Sequence, residues 1–199
     1  MRPLVYALLA LAVLLLAGSW FYPRVEQVVV SGTQRYGPEQ VAHLAGVDQG
    51  FPLLWVNRWS LADLERDPWI ERASVIRHWP DTVSITVWER TPVLSDGETA
   101  WALDGTVLPG LSPAEHESLP RLTGWGEPRT DEALELVALL SAYEPRVISY
   151  TPEGFDIELA NGSLYTPDVA TLERHWAAWT NQQGDRAAVY PWGVSEGNE

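Results

Sequence analysis

The sequence predicts an α+β protein, in which an N-terminal transmembrane helix precedes two small modules. Three observations lead to this fold class. An uncharged apolar run occupies residues 4–22, a strand–helix–helix–strand–strand pattern fills residues 24–93, and strands mixed with helices fill residues 94–199. We expect residues 1–3, before the apolar run, to form a short cytoplasmic tail. A chain of 199 residues has room for two small domains and not for a large enzyme.

The apolar run reads LVYALLALAVLLLAGSWFY. As a helix, these residues would span about 28 Å, close to the hydrocarbon thickness of a bilayer. The run ends in three aromatic residues, 20–22, which suit the membrane interface, and Pro23 and Arg24 then stop the helix. A cleaved signal peptide is the alternative, but its apolar region usually spans about 7–15 residues. We therefore expect an uncleaved single-pass anchor.

The composition excludes several function classes. The net charge of −14 argues against a nucleic-acid partner, because such binding draws most of its affinity from neutralised phosphates. All basic residues are arginine, which excludes Walker A loops, Schiff-base lysines and Ser-Lys dyads. The absence of cysteine excludes disulfides, cysteine nucleophiles and thiolate metal sites.

The first module begins with a predicted strand over residues 25–30, which Ser31-Gly32 ends. Pro38 opens a short helix that stops at Gly46, and Ser60 can cap a second helix over residues 60–67. Two alternating runs follow, and the turn Pro80-Asp81 joins them into a hairpin. The pattern predicts a three-stranded sheet with two helices on one face.

The alternation in this hairpin assigns side chains to the two faces of the sheet. Val83, Ile85 and Val87 alternate with polar residues and should face the helices. Trp88 and Ile76 fall on the other face and could anchor a partner there. A second packed element could equally cover them.

In the second module, Asp104-Gly105 and Asn161-Gly162 are hairpin turn signals. Helices are predicted over residues 130–143 and 168–180, and a final strand over residues 186–194. A terminal strand easily lies at a sheet edge, and proline is tolerated there. An incoming strand could pair with such an edge through the residues Val189, Tyr190, Trp192 and Val194. An ordinary closing strand is the alternative.

Four short motifs carry a resemblance to a known family: VVSG at 29–32, PWIERASV at 68–75, WPDTV at 79–83 and ERTP at 89–92. Behind an apolar anchor, they resemble the polypeptide-transport-associated (POTRA) domain of FtsQ/DivIB cell-division proteins. The resemblance covers residues 4 to about 110. The second module is similar to the family's β domain in element order only. We expect the motif residues to be structural, with Trp69 and Trp79 packed: Gly32, Pro68, Trp69, Ala73, Val75, Trp79, Pro80, Glu89, Arg90 and Pro92.

This resemblance implies a non-catalytic divisome scaffold in septum formation, which links early and late division proteins. It places the N-terminus in the cytoplasm, the soluble domains outside the cytoplasmic membrane, and the protein at the division septum. The implied partners are small bitopic proteins of the FtsB and FtsL types, which bind the C-terminal part of the β domain, together with FtsK-type and FtsW/FtsI-type proteins.

Catalytic and metal-binding patterns gain no support from the sequence. Glu89 and Arg90 are adjacent on a strand and point to opposite faces, and no G-x-S-x-G motif occurs. The four histidines do not share a metal-ligand spacing: His43, His78, His116 and His175. We therefore predict no catalytic residue, no metal and no cofactor. The alternative is a membrane-anchored protein that binds or cleaves peptidoglycan, with the 11 tryptophans as sugar platforms.

Overall fold

The computed structural model describes residues 2–21, 23–181 and 185–196. The chain divides into two compact units, residues 1–90 and residues 91–199. This division falls slightly before the predicted boundary after residue 93, because the strand that starts at Pro92 belongs to the sheet of the second unit.

The first unit begins with helix α1, Arg2–Phe21. Its described large apolar side chains are exposed on all sides of the helix: Val5, Tyr6, Leu8, Leu9, Leu11, Val13, Leu14, Leu15, Leu16 and Trp20. When only the described residues are counted, no helix combines the length and the apolarity that a membrane crossing requires.

A three-stranded sheet follows in the first unit. It contains β1, Gln27–Ser31, β2, Ile70–His78, and β3, Thr82–Glu89, in the order β1-β3-β2. β3 pairs parallel with β1 and antiparallel with β2. Helix α2, Pro38–Leu44, covers one face. The predicted inward row is correct, since Val83, Ile85 and Val87 are all buried.

The predicted second helix of this unit is wrong. Residues 60–67 form parts of two 3-10 segments, Arg58–Leu61 and Leu64–Arg66, and a third such segment, Leu53–Trp55, precedes them. Asn57 rather than Ser60 caps the turn, with its Oδ1 accepting the Trp59 N–H at 2.7 Å. The buried residues follow at intervals of three, Leu53 with Val56 and Leu61 with Leu64, which matches the 3-10 period.

In the described part of the second unit, the strands form a nine-stranded sheet. Its strands are β4 (Pro92–Ser95), β5 (Ala100–Ala102), β6 (Val107–Leu108), β7 (Arg121–Gly124), β8 (Val147–Thr151), β9 (Gly154–Leu159), β10 (Gly162–Thr166), β11 (Arg186–Tyr190) and β12 (Gly193–Glu196). Their order is β12-β11-β10-β9-β8-β7-β4-β5-β6. Both predicted turns join antiparallel neighbours, Asp104-Gly105 between β5 and β6 and Asn161 between β9 and β10.

Helices and one short 3-10 segment complete this unit: α3 (Pro113–Glu117), α4 (Thr130–Leu139), Ser141–Tyr143 in 3-10 form, α5 (Val169–Arg174) and α6 (Trp176–Thr180). α4 contacts β4 and α5, and α5 contacts β10 and β11. The helix predicted over residues 168–180 is thus two helices that meet at His175. The α-helix predicted over residues 130–143 ends at Leu139, and Glu144 then adopts a left-handed conformation.

The final strand predicted over residues 186–194 is a hairpin of β11 and β12 instead. Pro191 and Trp192 form its turn. A proline lacks the N–H that a ladder needs, and the following glycine, Gly193, has a φ of 153°, so the chain reverses at this point.

Candidate partner-binding surfaces

The first surface is the open edge of the nine-stranded sheet. β11 lies between β10, to which it is parallel, and β12, to which it is antiparallel. Among the described residues, β12 pairs with β11 alone and is therefore the outer strand. Such an edge offers backbone donors and acceptors to an incoming strand.

This geometry corrects part of the predicted edge set. Val189 is fully buried in the core, so its side chain cannot meet a partner. Tyr190 also lies on the inner strand β11, where its ring stacks on Trp192 at a centroid distance of 5.0 Å and an angle of 2°. Val194 lies on the edge strand but packs partly against the core. Trp192 is 82% exposed at the turn and is the most accessible side chain of the predicted set.

Aromatic and polar contacts hold this turn in place. The Tyr190 ring also lies 5.6 Å from the Tyr165 ring, and the His175 Nε2 is 3.3 Å from the carbonyl oxygen of Pro191. Burial raises the pKa of Tyr165, and the neighbouring Tyr190 and Glu153 raise it further. The neutral Tyr165 hydroxyl donates to the carbonyl oxygen of Glu153 at 3.1 Å. Contacts with Tyr190 and, through the turn, with His175 thus hold the exposed Trp192 in place.

The second surface is the uncovered face of the three-stranded sheet. Ile76 and Trp88 are exposed there, and the Arg72 guanidinium lies 4.3 Å from the centre of the Trp88 ring. Val29 is also exposed, and both it and Ile76 pair with Ser84 across the sheet. The sequence prediction missed Val29, although its alternation with two inward valines could have indicated it.

The motif residues near the start of β2 connect this strand to the end of β3. Trp69 is 7% exposed, with the Arg35 guanidinium 3.7 Å from the centre of its ring. Arg90 Nη1 donates to the carbonyl oxygens of Ile70 at 2.6 Å and Pro68 at 3.1 Å. These contacts tie the end of β3 to the chain that enters β2.

Other motif residues serve the backbone of the same unit. The Glu89 carboxylate accepts the Gln34 and Arg35 N–H groups at 3.1 and 3.2 Å, so it caps the loop after β1. Gly32 has a φ of 86°, and a Cβ at this position would collide with the carbonyl oxygen of Val87. Ala73 is buried in the core, and Val75 packs against it.

The prediction that Trp79 packs in the core is wrong, because its side chain is 67% exposed. It lies in the β2–β3 turn before Pro80, beyond the last residue that pairs across the hairpin. Period-two alternation places its side chain on the core face only while the strand continues, and the strand ends at His78.

One Ser–His pair was not predicted, because its members are far apart in sequence. Ser95 Oγ lies 2.6 Å from His116 Nδ1 and accepts the Gly97 N–H at 3.0 Å. Ser95 is only 1% exposed, which leaves its oxygen poorly placed to attack a substrate. The pair tethers α3 to the end of β4. No cluster of three metal-binding side chains occurs in the part of the chain that the structure describes.

Comparison with known protein families defines the class of the first unit. The family model described as "POTRA domain, FtsQ-type" matches residues 24–90, which contain the three-stranded sheet and α2. Residues 24–90 therefore form a POTRA domain of the FtsQ type.

Curated relatives extend this similarity. The chain is 34% identical to the cell division protein FtsQ of Geobacter sp. (strain M21) over 52% of its own length and 39% of the relative. It is 42% identical to FtsQ of Streptomyces collinus, over 41% of its length and 31% of the relative. It is 28% identical to FtsQ of Anaeromyxobacter sp. (strain K), over 83% of its length and 66% of the relative.

These matches confirm the predicted resemblance of the chain to FtsQ/DivIB cell-division proteins. It spans about a third to two thirds of the length of these relatives.

Proposed function

We propose that this protein is a membrane-anchored, non-catalytic scaffold of the division machinery. The FtsQ-type POTRA domain at residues 24–90 is the observation that supports this function best. Under this proposal, residues 24–93 and 94–199 act as separate POTRA and β domains outside the cytoplasmic membrane, and residues 1–3 lie in the cytoplasm. The protein acts by holding other division proteins together at the septum.

The apolar run at residues 4–22 is the proposed anchor. Its described apolar side chains surround α1 and are exposed, an arrangement that costs free energy in water and suits hydrocarbon. At 1.5 Å per residue, 19 residues reach about 28 Å, close to the roughly 30 Å of a bilayer core. Trp20 lies near the end of the run, at the position of an interfacial aromatic.

The edge strand β12, together with Trp192, is the proposed partner site. A partner strand would pair with the outer backbone of β12, and an apolar side chain beside it would cover Trp192. The proposed partners are the FtsB and FtsL types, as the family resemblance implies, with FtsK-type and FtsW/FtsI-type proteins elsewhere on the scaffold. An anchoring tryptophan at an interface typically contributes at least about 2 kcal/mol.

Imaging combined with co-purification tests this function. A fluorescent protein that folds only in the cytoplasm, fused to Met1, should give a ring at the division site. Trp192→Ala should reduce co-purification of the FtsB/FtsL-type partners by about 30-fold, the equivalent of about 2 kcal/mol. Trp125→Ala is the matched control, since Trp125 is an exposed tryptophan of the same unit that lies away from β12.

Different outcomes separate the alternatives. Uniform rim fluorescence would keep the anchor and refute the division role, and retention of the protein on peptidoglycan would then favour wall binding. An equal loss of partners in both tryptophan variants would refute β12 as the partner site. Wall binding has weaker structural support, because the most exposed tryptophans are divided between the two units: Trp59, Trp79, Trp125 and Trp192.

A further inference from the structure

A loop of the first unit lies beside the end of α1. The first residues of this tryptophan loop, residues 51–59, pair with the chain that leaves the helix. The Val25 N–H donates to the carbonyl oxygen of Phe51 at 2.8 Å, and the Leu53 N–H donates to that of Pro23 at 2.9 Å. Since Pro23 comes just after α1, these bonds fix the start of the loop next to the helix end.

The tryptophan loop has two faces. Leu53 and Val56 are fully buried in the core of the first unit. Leu54, Trp55 and Trp59 point away from that core, and Trp59 is 86% exposed, the highest value among the described large apolar side chains. The loop thus presents three large apolar side chains on its outer side.

Hydrogen bonds hold this outward arrangement. Asn57 Nδ2 donates to the carbonyl oxygen of Trp55 at 2.9 Å, and its Oδ1 caps the Trp59 N–H. From β2, Arg77 Nη1 donates to the carbonyl oxygen of Leu54 at 3.0 Å. The fold therefore fixes the outward direction of these side chains, because the backbone of each of the three residues accepts or donates a hydrogen bond.

The loop continues the aromatic end of the helix. The rings of Trp20 and Trp55 meet edge to face at 5.7 Å, so helix and loop share one aromatic surface. The sequence from residue 49 to residue 62 contains no carboxylate and one arginine, although the chain as a whole carries a net charge of −14. An aromatic segment without acidic residues suits the headgroup region of a bilayer.

We propose that the tryptophan loop is a second membrane contact, which inserts Leu54, Trp55 and Trp59 into the lipid interface beside the anchor. This inference rests on the proposed anchoring by α1. Interfacial apolar groups enter about 5–10 Å into the boundary between headgroups and acyl chains. A single helix would let the first unit pivot on the membrane, whereas a second contact limits its tilt. The loop would thereby orient the POTRA domain toward its partners.

Spin-label depth measurements on the full chain in nanodiscs of pure phospholipid test this proposal. The chain has no native cysteine, so single cysteines report single sites. Ala12→Cys reports the anchor, and Leu54→Cys reports the loop while keeping both of its tryptophans. Trp59→Cys is a second loop probe, and Trp192→Cys is the matched control at an equally exposed tryptophan of the other unit.

The expected result is a label near the bilayer centre at residue 12, labels about 5–10 Å below the phosphates at residues 54 and 59, and an aqueous label at residue 192. Aqueous labels at both 54 and 59, with a central label at 12, would overturn the loop contact and leave the anchor intact. An aqueous label at 12 would instead refute the proposed anchoring. Protection of 54 and 59 only in native membranes would assign the loop to a protein partner and also overturn the proposal.

Discussion

Arg129 connects three segments of the second unit, and its removal provides a direct test of how that unit is held together. Its guanidinium makes two hydrogen bonds to the Glu132 carboxylate, from Nε at 2.8 Å and from Nη2 at 2.6 Å. It also donates to the carbonyl oxygens of Thr151 at 3.3 Å and Pro167 at 3.1 Å. The start of α4 is thus joined to the ends of β8 and β10.

The surroundings of Arg129 make these bonds stronger than those of a surface pair. The Arg129 side chain is 18% exposed, and its guanidinium lies 4.1 Å from the centre of the Phe155 ring. The hydrogen bonds to Glu132 raise the pKa of Arg129, although burial acts in the opposite direction. The charged form is therefore stabilised within the folded unit.

Arg129→Met keeps the length of the side chain and removes all of these bonds. A hydrogen bond to a charged group contributes about 1.5–3 kcal/mol, and a buried carbonyl without a partner costs about 1–3 kcal/mol. Glu132 is 38% exposed and regains water, so its share is discounted. The free energy of unfolding of the second unit should fall by about 3 kcal/mol.

Urea unfolding of the full chain in detergent, read by hydrogen exchange of peptides from β8 to β10, measures this loss. Arg146→Met is the matched control, because Arg146 is an exposed arginine of the same unit and lies immediately before β8. The control should change the free energy of unfolding by less than about 0.5 kcal/mol. A loss below about 1 kcal/mol for Arg129→Met, or an equal loss in both variants, would refute this account.

Two further predictions concern the first unit. Gly32→Ala should lower the free energy of unfolding of this unit by more than about 2 kcal/mol in urea titrations. Residue 32 has a left-handed conformation, and the added methyl group would collide with the Val87 carbonyl oxygen. An unchanged midpoint would contradict this. Burial and the 2.8 Å bond to Asp67 raise the pKa of Tyr36 to about 12, so the folded unit keeps a proton that the unfolded chain loses near pH 10. Stability should therefore fall between about pH 10 and pH 12, by up to about 2 kcal/mol, and Tyr36→Phe should remove that part of the fall.

The interior of the first unit was predictable because one physical rule governs it. A strand covered on one face must alternate, and the buried row of β3 and the outward Trp88 follow from that rule alone. The segment before β2 was not predictable in the same way. Its buried leucines fit an α-helix of eight residues nearly as well as consecutive 3-10 turns. The choice depends on Asn57, whose side chain accepts the Trp59 N–H and caps the first 3-10 turn.

The edge of the second sheet illustrates a different failure. The alternation over residues 186–194 is compatible with one long strand, and a proline within such a strand indicates a sheet edge. The same proline, followed two residues later by a glycine, is also a turn signal, and the chain uses it as one. Because β12 turns back along β11, Val189 lies on an inner strand between β10 and β12.

Each unit has an exposed tryptophan to which a different proposed function is assigned, Trp59 for lipid contact and Trp192 for partner binding. Burying a large apolar side chain contributes about 1.5–3 kcal/mol, so a fold that holds one in solvent forgoes that gain. Trp59 and Trp192 are both held in this way, by Asn57 in one case and by the Tyr190 stack in the other. Since each support lies within its own unit, Trp59→Cys should leave partner binding at β12 unchanged, and Trp192→Ala should leave the lipid contact unchanged.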